Sequence, residues 1–149
     1  MKGITLLVLA AALITTGCAT LGEGIANRNV EKAIELINAR DAGALTLHSG
    51  KPFIFEGEAL FRPVDTEAVW RNLAENGFFL ENPVVTSVGR VDSTTYMIFS
   101  DTKEMEILFR KYIPEKSTLA AVETAGGTYH LLLGSGTGGY PSILGITGF

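Results

Sequence analysis

Four groups of residues in this chain have types and spacings that could do chemistry. Gly134-Ser135-Gly136-Thr137-Gly138-Gly139 fits G-x-G-x-x-G and follows a strand-like run, as a phosphate-cradling loop would. That chemistry needs a helix N-terminus directly after the loop. Tyr140-Pro141 and another strand-like run follow instead, so the stretch reads as a mobile loop between strands and not as a nucleotide site. His48 and His130 are the only histidines, far apart and without a neighbouring ligand pattern, which excludes a metal site built on them. In a strand, His130 shares a face with Thr128 and Leu132, whereas Tyr129, Leu131 and Leu133 take the other. Glu56 and Glu58 share a face if their segment is a strand, where a carboxylate pair could divide acid from base work; Gly57 between them favours a turn and solvated carboxylates. Trp70, Phe53, Phe55, Phe61, Tyr96 and Tyr129 either fill a core or line an apolar pocket. The ligand-lining candidates among them are Trp70, Phe55, Tyr96 and Tyr129. Ser, His and Asp occur without a nucleophile-elbow signature, so no catalytic residue is assigned.

The remaining reactive side chain is Cys18, the only cysteine. Ahead of it stand Lys2, the apolar run 4–14 interrupted only by Thr5, and Thr15-Thr16-Gly17. A positive start, an apolar stretch and small residues before a cut describe a secretory signal. A cysteine directly after them resembles a bacterial lipoprotein signal, with Thr15 where that pattern usually has Leu. The resemblance implies cleavage between Gly17 and Cys18, a diacylglyceryl thioether on Cys18 and an acylated amine. Palmitate is among the chains expected there. The alternative, a transmembrane anchor, needs about 20 apolar residues, and the run is too short. Ala19 after the cysteine fits outer-membrane sorting by the same resemblance. The expectation is a protein of the cell envelope, facing the periplasm and bound to the membrane through Cys18.

Losing residues 1–17 removes one lysine and takes the formal net charge from −4 to −5. Charges of both signs are scattered without a basic cluster, so nucleic acid is not an expected partner. A single cysteine permits no internal disulfide and no thiolate zinc site. The rest is one domain's length, enough for a core without staples.

These groups must be positioned by elements that the pattern predicts in order. Residues 18–26 are small and nearly uncharged and read as a flexible tether. A helix follows, capped by Asn29 and burying Val30, Ala33, Ile34 and Ile37. Leu45-Thr46-Leu47 and Phe53-Ile54-Phe55 read as short strands around the turn cluster Ser49-Gly50-Lys51-Pro52. A second helix starts at Pro63, with Asp65 as N-cap and Val64 stapled to Val69. It carries Val69, Trp70 and Leu73 on one face and ends at Asn76-Gly77. Residues 84–91 and 94–99 read as an antiparallel pair. A third helix has Asp101 as cap, Glu104 in a capping box and the stripe Met105, Leu108, Phe109 and Tyr112, and is closed by Pro114. Residues 119–124 and 128–133 form a hairpin joined at Gly126-Gly127, and 142–147 give a last strand.

Hairpins and interspersed helices imply a single α+β domain over residues 27–149, an antiparallel sheet with helices on one face. The leading helix, Lys51-Pro52-Phe53-Ile54-Phe55-Glu56-Gly57-Glu58 and Trp70 in the helix after it resemble the NTF2-like superfamily. That resemblance implies a curved sheet whose helices form a cone. The helix near residues 102–113 departs from it, because the family's later strands usually follow one another directly. Some NTF2-like enzymes transfer protons with an Asp or His in the cone, but no residue here matches one. The expected function is binding without a cofactor. Three readings remain open: a small-ligand module with a deep apolar cavity; an envelope scaffold with a filled cone and an exposed apolar patch; a small isomerase- or hydratase-like enzyme with an acid–base pair inside.

Overall fold

The computed structural model describes residues 17–149, so residues 1–16 of the expected leader lie outside the described residues. α1 (Gly17–Asn38) buries Val30, Ala33, Ile34 and Ile37 as the spacing predicts. Within the described residues it runs from Gly17 and does not wait for Asn29, so the stretch 18–26 expected to be a tether is helical. Once the packed turns around Val30 form a nucleus, extending the helix fixes one residue per hydrogen bond. The exposed Gly22 and Gly24 cost only about 1 kcal/mol each against Ala.

α2 (Ala42–Leu47) replaces the expected strand at 45–47. Asp41 Oδ1 accepts from Ala44 N at 3.0 Å, and this cap starts a helical turn that buries Leu45 while Leu47 stays 81% exposed. β1 (Ser49–Phe55) absorbs the expected turn cluster, and β2 (Glu58–Leu60) returns beside it through Glu56-Gly57. α3 (Pro63–Glu75) is capped by Arg62, whose guanidinium grips Asp65 through two 2.7 Å bonds. Asp65 is therefore a first-turn residue and not the cap, and Val64 is exposed and staples nothing. Gly77 ends the helix at φ +75°.

β3 (Val84–Arg90) does not pair with residues 94–99, which hold a 3-10 helix (Thr95–Ile98). Asp92 turns the chain there by accepting from Thr94 N, Thr94 Oγ1 and Thr95 Oγ1 at 2.8, 2.8 and 3.1 Å. α4 (Lys103–Tyr112) is capped by Thr102 and not Asp101. β4 (Thr118–Thr124) and β5 (Gly127–Gly134) form the expected hairpin, turning through Ala125-Gly126, and β6 (Ser142–Thr147) follows.

The six strands make one sheet in the order β2-β1-β6-β5-β4-β3. Every pair is antiparallel except β1 with β6, so the sheet is mixed where an antiparallel one was expected. The fold is α+β, with helices on both faces. α1, α2 and α3 cover one face, with Phe53, Val122, Leu131 and Leu133 beneath them. α4 and the 3-10 helix cover the other, over Ile54 and Leu132. This corrects the expectation of helices on one face alone. Leu131-Leu132-Leu133 points apolar side chains both ways, and each face needs a cover.

Trp70 is 1% exposed in the first layer. Its ring lies 5.2 Å from that of Phe53, and its Nε1 donates to Ser49 Oγ at 2.9 Å. Ser49 Oγ in turn donates to Leu45 O at 2.7 Å, so the indole N–H is satisfied inside the core. Trp70→Ala should lower stability by about 3–5 kcal/mol in a denaturant titration. Native emission should be blue and resist quenching. Red, freely quenched emission with an unchanged melting temperature would contradict this packing.

Candidate functional site

The four aromatic candidates do not converge on one pocket. Trp70 is sealed in the core between α3 and β1. Tyr96 lies in the 3-10 helix on the opposite face of the sheet, against the layer of Met105 and Phe109. Phe55 and Tyr129 remain on the face of Trp70 and are joined there by Phe78 and Phe149. Phe149 meets Phe78 at 4.7 Å, Phe55 at 5.1 Å and Tyr129 at 5.2 Å, and Phe78 meets Tyr129 edge-on at 5.4 Å. Sequence reading missed Phe78 and Phe149. Phe78 gave a faint signal, an aromatic directly after the helix-ending Gly77.

Glu56 belongs to this cluster. Glu56-Gly57 is the two-residue loop of the β1–β2 hairpin, with φ +47° and +82°. Such a loop demands left-handed backbone at both positions, which Asn, Asp and Gly usually supply. Glu56 Oε1 accepts from Gly148 N at 2.6 Å and Phe149 N at 3.1 Å. It is therefore an acceptor for backbone and not half of a carboxylate pair with Glu58, which starts the short strand β2.

The histidines lie apart. His48 caps α2 and packs its ring 5.3 Å from Tyr140. His130 lies on β5, and partial burial pushes its imidazole below the ordinary value, so the ring favours its neutral form. Among the described residues no three His, Cys, Asp or Glu side chains are grouped to hold a metal ion. Hydrogen bonds from Thr94 and Thr95 hold the Asp92 carboxyl below the usual carboxylate range; that is the chain-turning contact and not a reactive one.

The glycine loop joins β5 to β6 and touches α1. Lys32 Nζ donates to Gly139 O at 2.6 Å. A Cβ on Gly136 would stand 1.8 Å from Tyr140 O, and Gly138 and Gly139 hold φ +63° and +83°. β6 follows the loop, so no helix N-terminus faces it.

A groove of about 900 Å³ lies elsewhere, between α1 and the edge strand β3. Gly22, Ile25 and Ala26 of α1 face Val85 to Arg90 of β3 across it, with Glu23, Glu31, Arg90 and Lys116 supplying charge of both signs. Its lining suits a polypeptide or polar surface better than an apolar small molecule. Cys18 stands in the first turn of α1, near the same end of the helix. Among the described residues no helix is long and apolar enough to cross a membrane. Comparison with protein-family models, curated proteins and solved structures finds no match.

Gly136→Ala should cost about 1–3 kcal/mol by forcing the loop away from Tyr140. Neither NAD nor ATP should bind saturably to the unmodified protein. A variant of unchanged melting temperature, or saturable nucleotide binding lost in it, would overturn this reading of the loop.

Proposed function

We propose that this chain is a lipid-anchored cell-envelope protein, cleaved between Gly17 and Cys18, that works by binding a partner polypeptide. The observation that carries the anchor is the sequence of residues 1–18, with its charged start, short apolar run and Gly17-Cys18 junction. Outer-membrane attachment facing the periplasm is part of the same reading. Partner binding is supported by the complete burial of Trp70, Phe53, Leu131 and Ile146 among the described residues, large side chains that fill the space a small ligand would need. The enzyme reading has least support. His48 and His130 lie apart, and Glu56 is engaged by backbone donors.

An NTF2-like relationship belongs to this proposal as well. The three helices α1, α2 and α3 on one face support it, with α4 as an insertion between β3 and β4 on the other. On this reading the cone is filled. α1 begins at the lipidated end, so the groove residues Gly22 to Glu31 stand four to thirteen positions beyond Cys18. At 1.5 Å per residue that is roughly 6–20 Å along the helix, which would hold the groove near the bilayer surface.

Growth with a radioactive fatty acid tests the anchor. Wild type should carry label and fractionate with membranes, and Cys18→Ser should carry none. Equal label on both proteins would end the proposal.

A further inference from the structure

The aromatic cluster beside β6 is built like a binding site that already holds its ligand. Three rings from three different places in the chain, Phe55 at the end of β1, Phe78 after α3 and Tyr129 on β5, surround the ring of Phe149 at 4.7–5.2 Å. A single carboxylate oxygen of Glu56 takes the two backbone N–H groups next to that ring. Gly148 sits at φ +121°, and a Cβ there would stand 2.4 Å from Thr128 O. The residue before the aromatic one must therefore be glycine. Phe149 remains 48% exposed, and Thr147 is the last residue paired in β6, so the Gly148-Phe149 segment lies beyond the ladder and can leave without breaking it. Glu56 itself occupies a left-handed position that favours Asn, Asp or Gly. The side chain chosen there is the one long enough to reach across to residues 148 and 149.

We propose that Phe55, Phe78, Tyr129 and Glu56 form a recognition site for a glycine–aromatic dipeptide segment of a partner protein, which the chain's own Gly148-Phe149 fills in cis. The rings read the aromatic side chain, Glu56 reads the two consecutive N–H groups, and Thr128 O excludes any residue but glycine before the ring. A small aromatic molecule offers the ring but not the paired N–H groups, so a peptide is the better match. The cis segment competes at an effective concentration of roughly millimolar, as tethered ligands do. The site is thereby closed to weak segments and opened by strong or abundant ones. This inference goes beyond the anchored-partner reading and does not rest on the lipid at Cys18.

The test uses the full chain in detergent and the acetylated, amidated dipeptide Gly-Phe as probe. Deleting Gly148 and Phe149 vacates the site, and that variant should bind the peptide saturably, at least tenfold tighter than wild type. Adding Glu56→Ala should weaken that binding at least tenfold, whereas Glu56→Gln, which keeps an acceptor oxygen, should largely restore it. A probe with Ala in place of Gly should not compete. Absence of saturable binding to the deletion variant at native-like melting would overturn the proposal. So would binding that ignores Glu56→Ala, or equal binding of the Ala probe or of toluene alone. Should the deletion variant fail to fold, wild type decides by NMR. Excess peptide should move the Gly148 amide resonance as the cis segment is displaced, and an unmoved resonance at saturating peptide overturns the proposal.

Discussion

Leu131, Leu132 and Leu133 follow one another in β5, and the protein buries all three. Successive side chains of a strand point to opposite faces, so Leu131 and Leu133 enter the layer of α1, α2 and α3 while Leu132 enters the layer of α4. Each buried leucine contributes about 1.5–3 kcal/mol relative to exposure. Leaving either face in water would forfeit a large share of a domain stability of roughly 5–15 kcal/mol. The second cover is α4, whose Met105 and Phe109 press on Ile54 and Leu132. Gly145 in β6 permits this closeness. A Cβ there would stand 2.9 Å from Ile54 O and 3.2 Å from the Phe99 ring, so glycine lets Phe99 lie against the sheet.

Covering both faces leaves the sheet exposed only at its margins. Between the sheet and α1–α3 the space is filled by Trp70 and its neighbours, and the indole N–H ends on Ser49 rather than on anything that could leave. Two features lie at the margins of the described residues. One is the groove where the start of α1 overhangs β3. β3 is an edge strand with no charge before Arg90, and its register breaks between Val85 and Ser87, the kind of bulge that blunts an edge. The other is the ring cluster at the β1–β2 turn. Asn38 ties the loop that carries Phe78 in its early residues. Its Oδ1 accepts from Leu80 N at 2.7 Å, and its Nδ2 donates to Leu80 O at 3.0 Å.

Local signals were legible where local physics decides. The α3 end at Gly77, the β4–β5 hairpin, β6 and the buried face of α1 all follow from turn residues and spacing. Leu131-Leu132-Leu133 and Phe53-Ile54-Phe55 also carried the two-faced burial in plain sight, because a strand half in water alternates and these do not. Misreadings arose where a short-range polar contact overrode propensity. Asp41 capping Ala44 turned a β-prone Leu-Thr-Leu into α2, and Asp92 gripping Thr94 and Thr95 turned an expected strand into a 3-10 helix. The ring cluster was half legible, since Phe55 and Tyr129 were already candidates. Its decisive contact joins Glu56 to residues 92 and 93 positions away, which no local pattern announces.

The sheet is buried on both faces through β5, and Leu132 is the residue that distinguishes this from a sheet with one face in water. Denaturant unfolding of Leu132→Ala beside Leu131→Ala measures it directly. Two-sided burial predicts losses of about 2–5 kcal/mol for both variants. A loss within about 0.5 kcal/mol for Leu132→Ala, the range of an exposed substitution, would contradict the account while Leu131→Ala remained costly.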